Sequence, residues 1–523
     1  MLASKNFLYA TEFFSGMSIM AVELGASRLL APYFSSSQIV WTIIIGTIMI
    51  ALALGNVWGG RRADLDKSPD KLYRRLIIAA LWIGAIPVLG KFIILALAGV
   101  LIVAVDTNLL IWAAFLSCMA IFVLPLFLLG TVTPSLVKYA TDNLEHNGRV
   151  VGNLNAFNTV GSIIGTFLPT FVTIPAVGTA VTFLIFSGVL LLIGVIYFLS
   201  LGKSKLICAG AVAIFIACAF DGNSNGFAFW EKNLLYEGES IYNYLQVKET
   251  PRHIILSTNA MFGVQSLKVK GGGLTGMYYD YALAAPLLAS GNKILILGMG
   301  TGTFAEQCRR YFPAAQIVGV EIDDKITALA EKYFALPADV EVVTYDGRAF
   351  LQADKNSYDV ILVDAYQDIT IPFQMSSTEF FALVKSHLTA GGVMVVNMNM
   401  RASGAGNINE YLIDTIGKNF AAVRTIDARG VTNRVLFAAD DERTLNNLRA
   451  RADALSDETL SRLMIHIADN WTTPALGDNV LTDDRAPVEM LGMRALDNII
   501  QQHLQRYKEI YRREGLEGIL NGF

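Results

Sequence analysis

Apolar and polar positions divide the chain near residue 220. Upstream, long apolar runs recur at about 7–32, 38–60, 76–105, 108–130, 150–175 and 179–201, with a shorter one at 205–220. About 20 residues rising 1.5 Å each cross the ~30 Å hydrocarbon core of a bilayer, so the pattern predicts up to seven membrane-spanning helices. The first run, interrupted by Glu12 and Glu23, is too long and too polar for a cleaved leader. Downstream, from Lys293, short apolar runs alternate with helical stretches. Strands are predicted at 293–298, 316–321, 340–344, 358–364 and 391–398, and helices at about 303–311, 324–335 and 377–388, with further elements to about 440. That alternation reads as a parallel sheet wrapped by helices. The expected fold class is an all-α multi-pass membrane domain followed by an α/β Rossmann-like domain.

Composition sharpens the division. Only 16% of the 523 residues are charged, against about 25% in soluble proteins. Residues 1–220 hold 13 Lys and Arg against 8 Asp and Glu, a charge of +5; the remaining 28 and 37 leave the second part at −9. A single soluble globule and a disordered chain are both excluded. Nucleic acid is not an expected partner, because neutralising phosphates needs a basic surface. The four cysteines form no disulfide framework: Cys118, Cys208 and Cys218 lie in apolar runs and only Cys308 lies downstream. No metal site is expected.

Orientation follows from the loops. The stretch 61–75 carries six basic residues, and Lys138, Arg149, Lys203 and Lys205 fall on the same side; the positive-inside rule places them in the cytoplasm. Seven crossings would leave the downstream part outside, where nucleotides are scarce. An even number is therefore expected, with either 205–220 not spanning or the third run broken at Gly90-Lys91. Glu23 and Arg28 lie about 140° apart on one helix and are no natural pair. Asn153, Asn155 and Asn158 precede Gly161 and Gly165 at GxxxG spacing, which reads as close helix packing with amide cross-links or as a polar path.

The candidate chemistry sits at the ends of the predicted strands. Gly298-Met299-Gly300-Thr301-Gly302-Thr303 runs from a strand into a helix, where glycines let the backbone approach a ligand and turn N–H groups toward it. Glu321 ends the next strand, placed to accept from both ribose hydroxyls. Asp346-Gly347 ends the third, where a carboxylate would hold an adenine amino group, and Asp364 ends the fourth. Four signals at the carboxyl ends of successive strands converge on the crevice where open α/β sheets bind ligands. The ligand class is a nucleoside such as S-adenosylmethionine rather than NAD, because the third glycine of the dinucleotide pattern falls on Thr303.

Leu295-Ile296-Leu297-Gly298-Met299-Gly300, Val320-Glu321-Ile322-Asp323, Tyr345-Asp346-Gly347-Arg348 and Tyr358-Asp359-Val360-Ile361 leading to Asp364 together resemble the spermidine synthase family. The closer resemblance is to its bacterial subgroup with a multi-pass membrane domain in front. It implies a methyltransferase-type domain behind a small β region, with domains at 1–221, 222–285, 286–445 and a helical tail at 446–523. It implies an integral protein of the bacterial inner membrane with its catalytic domain in the cytoplasm, bound to lipid and a small-molecule nucleoside, and a homodimer. It implies no prosthetic group, with S-adenosylmethionine or its decarboxylated form as cosubstrate, its three-carbon chain moved and methylthioadenosine released. Asp364 would then take the attacking amine's proton, with Tyr242 and Tyr278 beside it; Asn243, Gln265 and Pro372 would line the nucleoside, and Tyr279, Asp280 and Asp368 the substrate. Thr301 stands where the family has an acid for the donor's ammonium tail, Tyr279 where it has histidine, and Gln367 where it has a second acid.

Those departures keep two other readings open. An S-adenosylmethionine lyase would use the substrate's own carboxylate to give homoserine lactone, and a nucleoside-sensing domain would gate a membrane carrier. In the tail, Thr482 is expected to cap a helix, with the following acids and Arg485 as an alternative lid, and apolar spacing from Ala495 to Tyr511 predicts a helix.

Overall fold

The computed structural model describes residues 5–65, 68–141, 147–224, 226–231, 233–260, 263–366, 371–402 and 404–520. The chain forms two compact units: a helical one of Met1–Lys232, Glu237–Tyr244 and Asn259–Met261, and an α/β one of Asn233–Tyr236, Leu245–Thr258 and Phe262–Phe523.

The helical unit contains α1 (Lys5–Phe34), α2 (Gln38–Leu65), α3 (Pro69–Ala104), α4 (Leu109–Gly130), α5 (Val132–Ala140), α6 (Asn147–Leu168), α7 (Ile174–Ser200) and α8 (Lys205–Ser224). Among the described residues six helical stretches are long and apolar enough to cross a membrane by length and composition, the longest being the 54 residues Asn147–Ser200. That stretch is two passes. A π-turn at Pro169–Thr173 joins α6 to α7, and Gly178 has φ 79° and ψ 171°. Gly165 lies against the Met17 backbone, while the Ser18 hydroxyl donates to the Phe186 carbonyl. Residues on either side of Gly178 thus meet the same turn of α1, so the chain reverses there.

The third run is one continuous helix through Gly90-Lys91, with Pro87 inside it. α8 packs beside α3, the Phe215 ring filling the space at Gly84 and Gly188 and Gly222 facing Pro87. The small-residue stripe is packing: a side chain at Gly161 or Gly165 would strike the carbonyls of Phe13 and Met17. Of the three asparagines, Asn158 donates to Glu12 at 2.9 Å, and Asn153 and Asn155 are exposed. The Arg28 guanidinium donates to the carbonyls of Ser240 and Ile241.

A four-stranded sheet follows in the order β1 (Leu234–Glu239), β2 (Tyr244–Glu249), β3 (His253–Ser257), β4 (Ser266–Val269). The main sheet has seven strands: β5 (Lys293–Leu297), β6 (Gln316–Glu321), β7 (Glu341–Thr344), β8 (Tyr358–Val363), β9 (Leu388–Met398), β10 (Ala422–Asp427) and β11 (Arg434–Ala439), ordered β10-β11-β9-β8-β5-β6-β7. β5 to β9 are parallel, and β10 and β11 form an antiparallel edge. The parallel strands are apolar almost throughout because helices cover both faces. Order reverses between β5 and β8, which opens a crevice at their carboxyl ends. The core continues from Ile294, Val360 and Val393 to Leu445, Leu448, Leu460 and Ile467, so the residues after 446 share it. Thr482 caps nothing: it pairs with Arg485 in an isolated bridge, and the last helix is Val488–Leu520.

Candidate active site

The glycine loop owes its shape to backbone that other residues resist. Gly298, Gly300 and Gly302 have φ of 81°, 57° and 78°, the left-handed region where glycine alone is unstrained. A side chain at Gly298 would also collide with the backbone of Asp364 and Ala365. The loop's N–H groups are not free, as the sequence pattern suggested. Those of Gly298 and Met299 donate to the Val320 carbonyl, that of Gly300 to Glu321 Oε2 at 2.8 Å, that of Thr301 to Ser266 Oγ at 3.3 Å and that of Gly302 to the Met299 carbonyl. The loop therefore shapes the crevice through its backbone path. Thr301 is buried, its hydroxyl 3.4 Å from that of Thr303.

Glu321 closes β6. Its Oε1 accepts from the Asp323 N–H at 3.0 Å and its Oε2 from Gly300. Two carboxylate oxygens offer about four acceptor positions, so two remain for a vicinal diol. Burial raises its pKa to about 7, opposed by the backbone N–H groups of Asp323, Gly300 and Ile322 and helped by the charge of the nearby Asp323. Asp346 Oδ1 accepts from the Ala349 N–H at 2.8 Å and caps the helix Gly347–Ala353, which the sequence pattern did not reveal. Gly347 lies beside Leu297 and Met375, and Pro372 starts the turn that carries Met375.

Asp364 follows β8. The Tyr278 hydroxyl donates to its Oδ2 at 2.6 Å and the Asn397 amide to its Oδ1 at 2.8 Å. Asn397 is held in turn by Asn433, whose amide donates to its Oδ1 at 2.9 Å, and its carbonyl accepts from the Tyr366 hydroxyl. Burial lifts the Asp364 pKa to about 7; the Tyr278 and Asn397 hydrogen bonds pull it down and the charge of Glu321 pushes it up. Glu321 and Asp364 thus sense each other across one crevice. Burial, reinforced by Asp364, also drives the Tyr278 phenol far above its usual range, so it stays a donor.

The remaining predicted residues divide. The Tyr279 hydroxyl donates to the Gln265 carbonyl at 2.7 Å, tying the helix Tyr278–Ala282 to the strand region before it. Asp280 is held by protein donors. Its carboxylate accepts from Thr275 N–H and Oγ1, Gly276 N–H and the Gln307 amide; every donor comes from its own loop or an adjacent helix, so it is a loop anchor. Tyr242 and Asn243 belong to the helical unit, where both N–H groups donate to Ser240 Oγ in a tight turn. Asp368 lies outside the described residues. Asn397, Asn433 and Ser266 were missed. The signal for Asn397 was a lone amide within Val395-Val396-Asn397-Met398, since a polar group in a buried strand requires a partner.

Residues 281–429 match the spermine/spermidine synthase domain. A probable polyamine aminopropyl transferase of Bifidobacterium longum is 52% identical over 343 residues, 62% of this chain and 77% of that protein. The chain belongs to the polyamine aminopropyltransferase family. It is an enzyme of the transferase class. The polyamine aminopropyltransferase of Vibrio vulnificus is 29% identical over 182 residues, covering 33% of this chain and 61% of its own length. Among solved structures, a probable spermidine synthase from Corynebacterium glutamicum aligns with 46% of this chain and 96% of its own at 21% identity and a TM-score of 0.37. The aminopropyltransferase domain match takes in the glycine loop, Glu321, Asp346, Asp364 and Asn397, whereas Tyr278 and Asn433 lie just beyond its two ends.

Proposed function

We propose that the crevice binds an adenosyl sulfonium donor and transfers its aminopropyl chain to an amine, with decarboxylated S-adenosylmethionine as donor and intact S-adenosylmethionine as the alternative. The observation that carries this is Asp364: a carboxylate with one donor on each oxygen, a pKa near neutrality and Glu321 within electrostatic reach. Glu321 holds the ribose diol. The amine nitrogen attacks the methylene carbon bonded to the sulfonium; a C–N bond forms, the C–S bond breaks with its electron pair passing to sulfur, and methylthioadenosine leaves. The nitrogen's surplus proton passes to Asp364. A base of pKa near 7 suits this task, being largely ionised at pH 7.5 and still basic enough to take the proton. Tyr278 and Asn397 fix the carboxylate in line, so that attack from one face replaces a random encounter.

The helical unit is read as a membrane anchor on the length and apolarity of its passes. One incubation of purified protein with each donor, with and without a diamine, read by mass spectrometry, tests the reading. Methylthioadenosine is expected together with an amine heavier by one aminopropyl group from the decarboxylated donor, or by one aminocarboxypropyl group from the intact one. Its absence with both donors would overturn it.

A further inference from the structure

The helical unit has two unlike ends. At one, Asp64 pairs with Lys138 at 2.9 Å, Asp70 accepts from Tyr197 at 2.6 Å and Lys203 at 3.1 Å, and the Tyr139 hydroxyl donates to the Ser68 carbonyl. Arg61, Arg62, Lys71, Arg74 and Arg75 flank these contacts in sequence, and Arg62 and Arg75 both lie over the Trp58 ring. At the other, the Lys91 ammonium donates to the Gly226 carbonyl, Tyr33 to the Phe227 carbonyl, and the Ala260 N–H to the Pro32 carbonyl. There Glu239 accepts from the N–H and hydroxyl of Thr179, just past the reversal at Gly178. The 21 residues from Asp70 to Lys91 on α3 correspond to about 32 Å of helix, the thickness of a bilayer core.

The passes alternate strictly between these ends. α1 runs from the first to the second, as Thr11 meets Tyr73 and Leu29 meets Gly90. α2 returns to Asp64, α3 rises to Lys91, α4 and α5 return to Lys138, the chain rises to Gly178, α7 returns to Tyr197 and α8 rises to Gly222. Seven passes bring the chain out at the end opposite the basic one, and Glu239 and Ala260 are held there by Thr179 and Pro32. Among the described residues no helix long and apolar enough to cross a membrane follows α8, so chain connectivity commits everything downstream to that side. The connections at that end, 35–37, 105–108 and 169–178, contain no Lys or Arg.

Resting on the membrane reading above, we infer that the catalytic unit lies on the extracytoplasmic face, because the basic end of the bundle is the one the positive-inside rule keeps in the cytoplasm. This reverses the cytoplasmic placement expected on chemical grounds. The crevice then draws donor and amine from outside the cytoplasm. Since a sulfonium nucleoside is built from intracellular nucleotide, a transport step must stand between its synthesis and this enzyme.

Two single cysteines test the assignment in the full-length protein: Ser357→Cys, exposed at the end of β8 remote from Asp364, and Leu65→Cys, exposed at the basic end. Spheroplasts are treated with a membrane-impermeant maleimide, with the parent chain as blank, and membranes are separately washed in alkaline carbonate. The expected result is retention in the carbonate pellet, S357C labelled in intact spheroplasts as fully as after permeabilisation, and L65C labelled only after permeabilisation. Retention with the opposite labelling, or with both sites labelled in intact spheroplasts, overturns the sidedness alone. Release by carbonate overturns the membrane reading beneath it.

Discussion

Each unit of this protein holds a carboxylate with one hydroxyl and one asparagine amide, and the two are held differently. In the helical unit both donors converge on the same oxygen of Glu12: Thr133 at 2.6 Å and Asn158 at 2.9 Å reach Oε1, and Oε2 is buried without a partner among the described residues. In the α/β unit Tyr278 and Asn397 take one oxygen of Asp364 each, and the residue keeps a partly open edge. The first arrangement ties α1, α5 and α6 together and offers nothing to a ligand. The second orients both oxygens while leaving lone pairs for an incoming proton. The two acids share partner chemistry and differ in how the donors are distributed over the two oxygens, which is the difference that the proposed role of Asp364 uses.

Breaking the Asp364 side of the comparison should have the largest effect. Asp364→Asn removes the proton acceptor and should lower kcat by at least ~10²-fold, with nucleoside binding by calorimetry preserved; a parental rate would show that Asp364 is not the base. Glu321→Gln comes next, raising KM for the nucleoside by about 10-fold or more, as expected for loss of a charge-assisted hydrogen bond of ~1.5–3 kcal/mol, with a smaller change in kcat. Asn397→Ala and Tyr278→Phe each remove a bond that lowers the Asp364 pKa. Because the ionised form is the active one, the rate of the parent rises with pH through about 7, and in both variants that limb should move upward by about one unit. An unmoved limb would mean that the two residues only fill space.

The Glu12 side should respond in stability alone. Glu12→Ala strands the Thr133 and Asn158 donors and should cost about 1–3 kcal/mol, read in detergent unfolding, with kcat intact. Smallest is Asp483→Ala. Its bidentate contact with Arg348, at 2.6 Å on both arms, is partly exposed, so about 1 kcal/mol or less is expected.

Much of the α/β unit was legible because strands and helices follow from periodicity, and the helix Thr303–Tyr311 falls on its predicted span. Glu321 and Asp364 were legible from their positions at strand ends. The roles of Asp280 and of the loop N–H groups were not, because they depend on which donors tertiary packing brings to them. Gln307 lies 27 residues from Asp280 in sequence, and no local pattern signals that meeting. The packing of α8 was equally hidden: hydropathy measures how long a helix is, whereas the Phe215 ring against Gly84 and Gly188 shows which helices it lies beside.

The bond from Gly300 to Glu321 has one more consequence. The Glu321 carboxylate is already the clasp that fastens the glycine turn to its neighbouring strand. On the reading proposed above, a nucleoside would meet this hook and its cradle assembled, so that little ordering entropy would be lost on docking and the attraction between them would go into affinity.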